Sequence, residues 1–448
     1  MTLTESIESK SAKVAIVGMG YVGLPHALEI ANAGMEVVGL DVQQKRVDAL
    51  NRGESYIQDA KSDDLKKIIA AKKFQASTDF SLCANADIII ICVPTPLDKY
   101  KIPNVSYIVN AANEVKKYLR QGQLVILEST TYPGTTEEIL LPLFEETGLK
   151  CGKDFYLAFA PERIDPGNKM PLAEITKVVG GITKDCTNIA AAFYRQFLEH
   201  VYPVSSAKAA EMTKILENVY RLVNISAINE MAMLCGRMGL DVWEIIDAAK
   251  TKPYGFQAFY PSPRVGGHCI PLDPFYLSWK AKEYNFLARF IELAGDINDQ
   301  MPHYAVSFAN SVLNRAGKSI RNSKILVFGV AYKKDIGDAR ESAAHDIIPN
   351  LMRKGAQVDY YDPFVKELII GENNYLINNC EPIKMASINY NPETLKNYDL
   401  VLILTDHSNI DYDRLAQSAN LVADTRNAIK SRAHKNVFWL GVPAPKDK

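Results

Sequence analysis

The sequence predicts an α/β protein: two doubly wound domains joined by a long central helix and a helical middle domain. Three observations carry this. Short apolar strands alternate with helical patterns up to about residue 205. A proline-free stretch, Ala207–Gly239, then keeps helical spacing throughout. From Ser323 the strand–helix rhythm returns. Alternation of this kind builds parallel sheets covered by helices on both faces. The expected boundaries are 1–205, 206–318 and 319–448.

In chain order, the polar N-terminus from Met1 to Lys13 reads as a short disordered tail with no apolar signal region. Lys13–Val17 and Glu36–Leu40 are the first strands, separated by a helix over Leu24–Ala33 that stops at Gly34. Asp87–Val93 and Leu124–Glu128 are continuous apolar runs, suited to buried parallel strands. The central stretch repeats Met212, Ile215, Leu216, Val219, Leu222 and Val223 at helical spacing, which predicts one helix of about 30 residues. Such a helix outgrows one small core. It is expected to bridge domains and to offer a spare apolar face to a second copy, giving a homodimer or higher homo-oligomer. Lys324–Val330, Gln357–Tyr361, Asp399–Leu404, Leu421–Ala423 and Val437–Leu440 are the strands of the last domain.

Composition narrows the function. The 448 residues are 47% hydrophobic and 23% charged, with a net charge of −1. A near-neutral surface gives no field for nucleic acid, and no apolar run is long enough to span a membrane. Seven cysteines occur, at 83, 92, 151, 186, 235, 269 and 380, without a Cys-x-x-Cys pair. That pattern predicts neither a disulfide framework nor a metal site, and it fits the reducing cytoplasm. Cys83, Cys92, Cys186 and Cys235 are expected to be buried and inert.

Two segments carry chemistry. In the first, Gly18-Met-Gly20-Tyr21-Val22-Gly23 follows a strand and opens a helix. Gly18 allows a tight turn, Gly20 lets the backbone approach a pyrophosphate, and Gly23 permits close helix packing. The domain is thus Rossmann-like. Asp41 ends the next strand, where a carboxylate binds ribose hydroxyls and repels a 2′-phosphate, so NAD is expected. Arg46, close by, is of the type that accommodates such a phosphate. Thr95 and Thr130 follow later strands, at the edge where ligands bind in such sheets, and are cofactor candidates.

The second segment is Tyr260-Pro-Ser-Pro-Arg264-Val-Gly266-Gly-His-Cys269-Ile-Pro-Leu-Asp273. Its prolines and glycines make it a structured loop, and Gly266 and Gly267 let backbone come close to a ligand. A cysteine in such a loop is a candidate reactive thiol. His268 adjoins it, but sequence neighbours point apart, so His268 is expected to pack the loop. Asp273 could orient water or the thiol.

Gly-Gly-His-Cys-Ile-Pro-Leu-Asp-Pro resembles the active-site motif of the UDP-glucose/GDP-mannose dehydrogenase family. Cys-Val-Pro-Thr-Pro96, Glu128-Ser-Thr-Thr-Tyr-Pro-Gly134, Ala160-Pro-Glu-Arg-Ile-Asp-Pro-Gly167 and Ala331-Tyr-Lys-Lys-Asp-Ile-Gly-Asp-Ala-Arg-Glu-Ser342 follow that family's order. The resemblance runs from Val14 to about Arg426. It implies two successive NAD-dependent oxidations at C6 of a UDP-sugar. Cys269 would hold the carbonyl as a thiohemiacetal and then a thioester.

By the same resemblance, Lys214 and Asn218 stabilise the oxyanion, and Asp273 assists proton transfer with water. Glu162 is a further acid near the site, with Arg163 beside it, and Thr130 serves the chemistry as well as the cofactor. Tyr260, Arg264 and Gly266 line the sugar. Lys333 and Arg426 contact the nucleotide sugar, and Arg340 contacts NAD. Without the resemblance, Lys214 and these cations read as surface charges.

The form Pro-Glu-Arg-x-x-Pro-Gly and the stretch Thr251–Tyr260 resemble the branch acting on UDP-N-acetylhexosamines, UDP-N-acetylglucosamine first. The chain lacks the second acid that UDP-glucose enzymes carry after the position of Glu162, and Arg264 stands where many relatives have glycine. UDP-glucose and UDP-N-acetylgalactosamine remain the alternative substrates. A two-electron dehydrogenase would share the glycine fingerprint and long helix without needing Cys269. A non-catalytic NAD sensor would keep Gly18–Gly23 and Asp41 but have no use for Cys269, Lys214 and Asp273 together.

Overall fold

A computed structural model describes residues 2–57, 60–98, 100–164, 170, 172–267, 269–371 and 382–443. His268, Cys380 and the stretch Asp165–Gly167 lie outside the described residues. By internal contacts the chain forms two units: Met1–Glu217 with Phe275–Asn285, and Asn218–Pro274 with Phe286–Lys448.

In the first unit the apolar runs become β1 (Lys13–Val17), β2 (Glu36–Leu40), β3 (Phe74–Ser77), β4 (Ile88–Ile91), β5 (Leu124–Leu127), β6 (Tyr156–Phe159), β7 (Lys177–Gly181) and β8 (Val201–Pro203). They form one sheet in the order β3-β2-β1-β4-β5-β6-β7-β8. Neighbours are parallel except β6 and β7. The order reverses between β1 and β4, and the carboxyl edge there is the ligand crevice of such sheets. Along β4, Ile88 and Ile90 join the core on one face with Leu24 and Ile30, while Ile89 and Ile91 join Ile108 and Phe144 on the other. Alternation along a doubly covered strand therefore demands an unbroken apolar run.

The expected N-terminal tail is instead a helix, Leu3–Glu8. The Thr2 hydroxyl accepts the Glu5 N–H at 3.3 Å, and the Glu5 carboxylate accepts the Thr2 N–H at 2.7 Å. This capping box starts the helix, and Ile7 anchors it in the core. One buried apolar side chain, beside buried Ser6, in a polar stretch left no periodic signal.

The central helix runs over Ala207–Met238, 32 residues. A second long helix, Arg289–Arg315 of 27 residues, was not anticipated. The second unit carries β9 (Lys324–Phe328), β10 (Gln357–Tyr361), β11 (Glu367–Ile370), β12 (Ile383–Ala386), β13 (Leu400–Ile403), β14 (Val422–Asp424) and β15 (Val437–Trp439). Five of these form a parallel sheet, β10-β9-β13-β14-β15, and β11 and β12 pair as an antiparallel ribbon. Both ends of the chain are thus Rossmann-like. Among the described residues no helix is long and apolar enough to cross a membrane.

Candidate active site

The glycine fingerprint sits where β1 meets the helix Gly23–Asn32. Gly18 has φ +97°, and a Cβ on it would lie 2.6 Å from the Cys92 carbonyl oxygen. A Cβ on Gly23 would lie 2.0 Å from the Gly18 oxygen. Gly20 faces open space, with nothing within 4 Å of an added Cβ. The first and last glycines are required by the turn, and the middle one leaves room for a ligand. Asp41 is buried after β2; its carboxylate accepts the N–H groups of Met19 at 3.1 Å and Gln43 at 2.9 Å. Arg46 approaches the same carboxylate at 3.4 Å. Tyr21 is exposed and Val22 half-buried. The residues present fit a dinucleotide.

The loops after β4 and β5 complete this edge. Thr95 is buried, and its carbonyl accepts the Tyr276 hydroxyl. Ser129 Oγ accepts the Val93 N–H at 2.9 Å, which ties the two loops together beside half-buried Thr130. Farther along, Glu211 of the central helix accepts the N–H groups of Gly134 at 2.5 Å and Thr136 at 2.9 Å, and the Thr136 hydroxyl at 2.7 Å. Burial pushes its carboxyl up to about 7, although these hydrogen bonds pull the other way. Lys214, one turn on, is only 8% exposed, so it is no ordinary surface lysine.

Beneath this edge lies a buried cluster of charges. His26, in the first turn of the fingerprint helix, has Nε2 2.9 Å from Glu162 and Nδ1 2.9 Å from Glu128. The Nδ1 contact is an ion pair without hydrogen-bond alignment. Lys177 Nζ lies 3.1 Å from each of the same carboxylates. The Tyr194 hydroxyl also donates to Glu128. The antiparallel pairing of β6 and β7 sets Phe159 opposite Gly180; continued three residues, it sets Glu162 opposite Lys177. Burial alone would lower the His26 pKa, but Glu128 and Glu162, opposed by Lys177, push it up to about 9. Burial works against ionisation of Glu162, yet Lys177 and His26 hold its carboxyl well below the usual range. Arg163 turns away from the cluster and pairs with Glu217 of the central helix at 2.6 Å.

In the second unit the cysteine loop is pinned by amides. Asn229 accepts the Ser262 N–H at 2.9 Å, and Asn298 accepts the Val265 N–H at 2.7 Å. Arg264 forms an ion pair with Asp346 and lies 3.7 Å from Glu341 and 3.9 Å from Asp299. Gly266 and Gly267 meet protein: added Cβ atoms would lie 2.7 Å from the Glu341 oxygen and 2.8 Å from the Tyr332 ring. Gly267 also has φ +85°. These glycines therefore let the loop lie against its own unit. Cys269 is exposed, while Cys83, Cys92, Cys186 and Cys235 are buried, in line with the sequence. The Cys269 carbonyl accepts the Asp273 N–H at 2.8 Å, and the buried Asp273 carboxylate accepts the Asn218 amide at 2.7 Å. Tyr260 stacks on Trp243 with centroids 6.1 Å apart.

The second sheet gathers the remaining candidates after its carboxyl ends. Lys333 and Arg340 follow β9, and Arg426 follows β14. Asp362 accepts the N–H groups of Val330 at 2.7 Å and Ala331 at 2.9 Å, so this loop is held much as Asp41 holds Met19. Arg340 is paired with Asp338 at 2.7 Å and Arg426 with Asp406 at 3.0 Å. Sequence reasoning missed His26, Lys177, Glu211, Asn229 and Asn298. A lysine opening the apolar run Lys177-Val-Val-Gly-Gly was the available signal.

The family models for the UDP-glucose/GDP-mannose dehydrogenases match three segments: the NAD binding domain over 12–198, the central domain over 208–300, and the UDP binding domain over 326–431. A UDP-N-acetyl-D-mannosamine dehydrogenase of Methanococcus maripaludis is 34% identical over 437 residues, 94% of each chain. A UDP-N-acetyl-D-glucosamine 6-dehydrogenase of Pseudomonas aeruginosa is 36% identical over 359 residues, 80% of this chain and 84% of that one. The solved UDP-D-ManNAc dehydrogenase of Pyrococcus horikoshii superposes with a TM-score of 0.85 at 30% identity, covering 96% of this chain and 99% of that one. The glycine fingerprint with Asp41, the UDP-binding sheet and these matches agree: the chain belongs to the UDP-glucose/GDP-mannose dehydrogenase family and is an NAD-dependent oxidoreductase of nucleotide sugars.

Proposed function

We propose that this chain oxidises the C6 hydroxymethyl of a UDP-N-acetylhexosamine to the carboxylate, supplying a uronic acid for surface polysaccharide. The observation that carries the reading is the exposed Cys269 thiol, tied through its own carbonyl to Asp273, whose carboxylate Asn218 holds at 2.7 Å. Bound NAD supplies the hydride acceptor for each oxidation. The Cys269 thiolate adds to the C6 aldehyde, and the resulting thiohemiacetal loses a hydride to become a thioester. Water then adds, the C–S bond breaks, and the carboxylate leaves with the thiolate regenerated. Lys214 and Asn218 stabilise the charge developing on oxygen, and Asp273 takes the proton from water. The buried Ser262 Oγ, Asn229 Nδ2 and Arg264 Nε have no hydrogen-bond partner among the described residues, which supports a polar ligand at this loop.

The resemblance of Thr251–Tyr260 makes UDP-N-acetylglucosamine the first substrate to test. The name of the 34%-identical Methanococcus maripaludis relative supports a second reading, the mannosamine epimer. A panel of UDP-N-acetylglucosamine, UDP-N-acetylmannosamine, UDP-N-acetylgalactosamine and UDP-glucose, each followed by NADH absorbance, separates them. Turnover of UDP-glucose above every N-acetyl sugar would overturn the proposal.

A homodimer belongs to the same reading. Met212, Leu216 and Tyr220, then Met231, Leu234 and Met238, are exposed along the central helix. A second copy would cover this stripe. Light scattering of Leu216→Glu and Leu234→Glu should report monomers; a monomeric wild type would overturn it.

A further inference from the structure

Glu162 has no acceptor position left for a substrate or a water. An ionised carboxylate offers about four lone-pair sites on two oxygens. Oε1 accepts the N–H groups of Arg163 at 2.7 Å and Ile164 at 2.6 Å. Oε2 meets His26 at 2.9 Å and Lys177 at 3.1 Å. A general acid or base needs an open site within about 2.6–3.2 Å of the proton it moves. Glu128 is similarly engaged, by His26, Lys177, Tyr194 and more distantly Cys92 at 3.7 Å.

The cluster's charges balance: two carboxylates face one imidazolium and one ammonium. Its members come from separate elements. His26 is on the fingerprint helix, Glu128 follows β5, Glu162 follows β6, Lys177 opens β7, and Tyr194 closes the helix Lys184–Tyr194. The nearby Glu29, one turn beyond His26, has its carboxyl raised by burial, with His26 opposing. His26 and Lys177 are 1% and 3% exposed, so solvent does not screen these pairs. Apolar side chains of similar volume would join the same elements without desolvating four charges, so stability alone gives no reason for the cluster. What charges add is direction: each oxygen is fixed in one place.

We propose that His26 and Lys177 lock Glu162 and Glu128, making Glu162 a positioning residue that holds the loops after β5 and β6 at the ligand edge. Thr130 lies two residues beyond Glu128. Arg163 lies one residue beyond Glu162 and pairs with Glu217, three residues along the central helix from Lys214. The lock thus runs from the fingerprint helix to the helix that carries Lys214, all within the first unit. A metal held by His26, Cys92 and Glu128 is a poor fit, because the Lys177 ammonium already lies 3.1 Å from Glu128.

This inference rests on the proposed oxidation for its kinetic readout, so the test adds a readout free of substrate. Hydrogen exchange of peptides covering 129–136 and 160–164 is compared in wild type, His26→Gln, Glu162→Gln and Lys177→Arg, without ligand. Both neutral variants should exchange faster in both segments, and Lys177→Arg, which keeps the charge, should stay near wild type. In turnover, His26→Gln and Glu162→Gln should each raise the KM of the nucleotide sugar about tenfold, the scale of one lost charge-assisted hydrogen bond. Their kcat should fall only a few-fold, with the acid limb of the pH–rate profile unmoved. The double variant should be no worse than the worse single one. Unchanged exchange in both segments would overturn the lock. So would a Glu162→Gln enzyme that folds, keeps its KM and loses the acid limb with a hundredfold or more of kcat, because Glu162 would then be moving the proton. If wild type oxidises no nucleotide sugar, the functional reading fails while the exchange data still decide the lock.

Discussion

Asn218 donates its side-chain amide to the carboxylate of Asp273 at 2.7 Å, and the Asp273 N–H is received by the carbonyl of Cys269 at 2.8 Å. A helix residue thereby orients the acid, and the acid's own backbone fixes the turn that presents the thiol. Replacing Asp273 by Asn keeps the shape but removes the proposed base. We expect kcat to fall by about 10²–10⁴-fold, the usual range for a lost general base. The thioester should then accumulate, visible by intact mass as a sugar nucleotide adduct on Cys269. Loss of activity without any adduct would place Asp273 before the hydrolytic step.

Cys269→Ser should abolish net formation of the carboxylate while leaving NAD affinity within a few-fold of wild type. Wild type should form two NADH for each sugar oxidised. A stoichiometry of one, or a fully active serine variant, would remove the covalent mechanism.

We propose that Asp41 decides the cofactor. Its carboxylate stands after β2 with Arg46 at 3.4 Å. Asp41→Ser removes the charge that repels a 2′-phosphate and leaves the arginine to meet it. The KM for NAD should rise about tenfold, and NADP should become a measurable substrate. Titration of each cofactor by initial rate checks this; unchanged NAD preference would show that discrimination lies elsewhere.

His26 makes stability depend on alkaline pH. Its folded pKa is about 9 against an ordinary 6.5, because the flanking carboxylates outweigh burial. A raised folded pKa means that the charged form's contribution is fully present below about pH 6.5 and is lost as pH rises through about 9. The full difference is on the order of 3 kcal/mol. Urea unfolding at pH 6.5, 8 and 9.5 (about these values) should show stability declining in wild type and a shallower decline in His26→Gln. Parallel declines would mean that His26 is neutral in the folded chain.

Gly267→Ala tests the packing of the cysteine loop. The residue has φ +85°, and a Cβ would meet the Tyr332 ring at 2.8 Å. Strain at such a position costs about 1–3 kcal/mol. Activity should fall with NAD binding intact, since the glycine fingerprint lies in the other unit. Wild-type turnover in this variant would show that the loop tolerates displacement.

The sequence by itself determined whatever is written in local spacing. The fingerprint glycines, Asp41, the four-isoleucine strand β4, the 32-residue helix and the unusual setting of Cys269 were all legible. Each depends on a period of two or 3.6 residues, or on what one turn permits. The tertiary structure decided which charge faces which. Glu162 read as an acid near the site until the antiparallel pairing of β6 with β7 set Lys177 opposite it, and the sheet order brought His26 beneath both. Arg264 read as a ligand contact, and only folding showed the three carboxylates around it. Pairing between residues far apart in sequence is set by strand register and order, which no local pattern encodes. The buried charges His26, Lys177 and Glu211 went unread in the sequence because both their burial and their partners exist only in the fold.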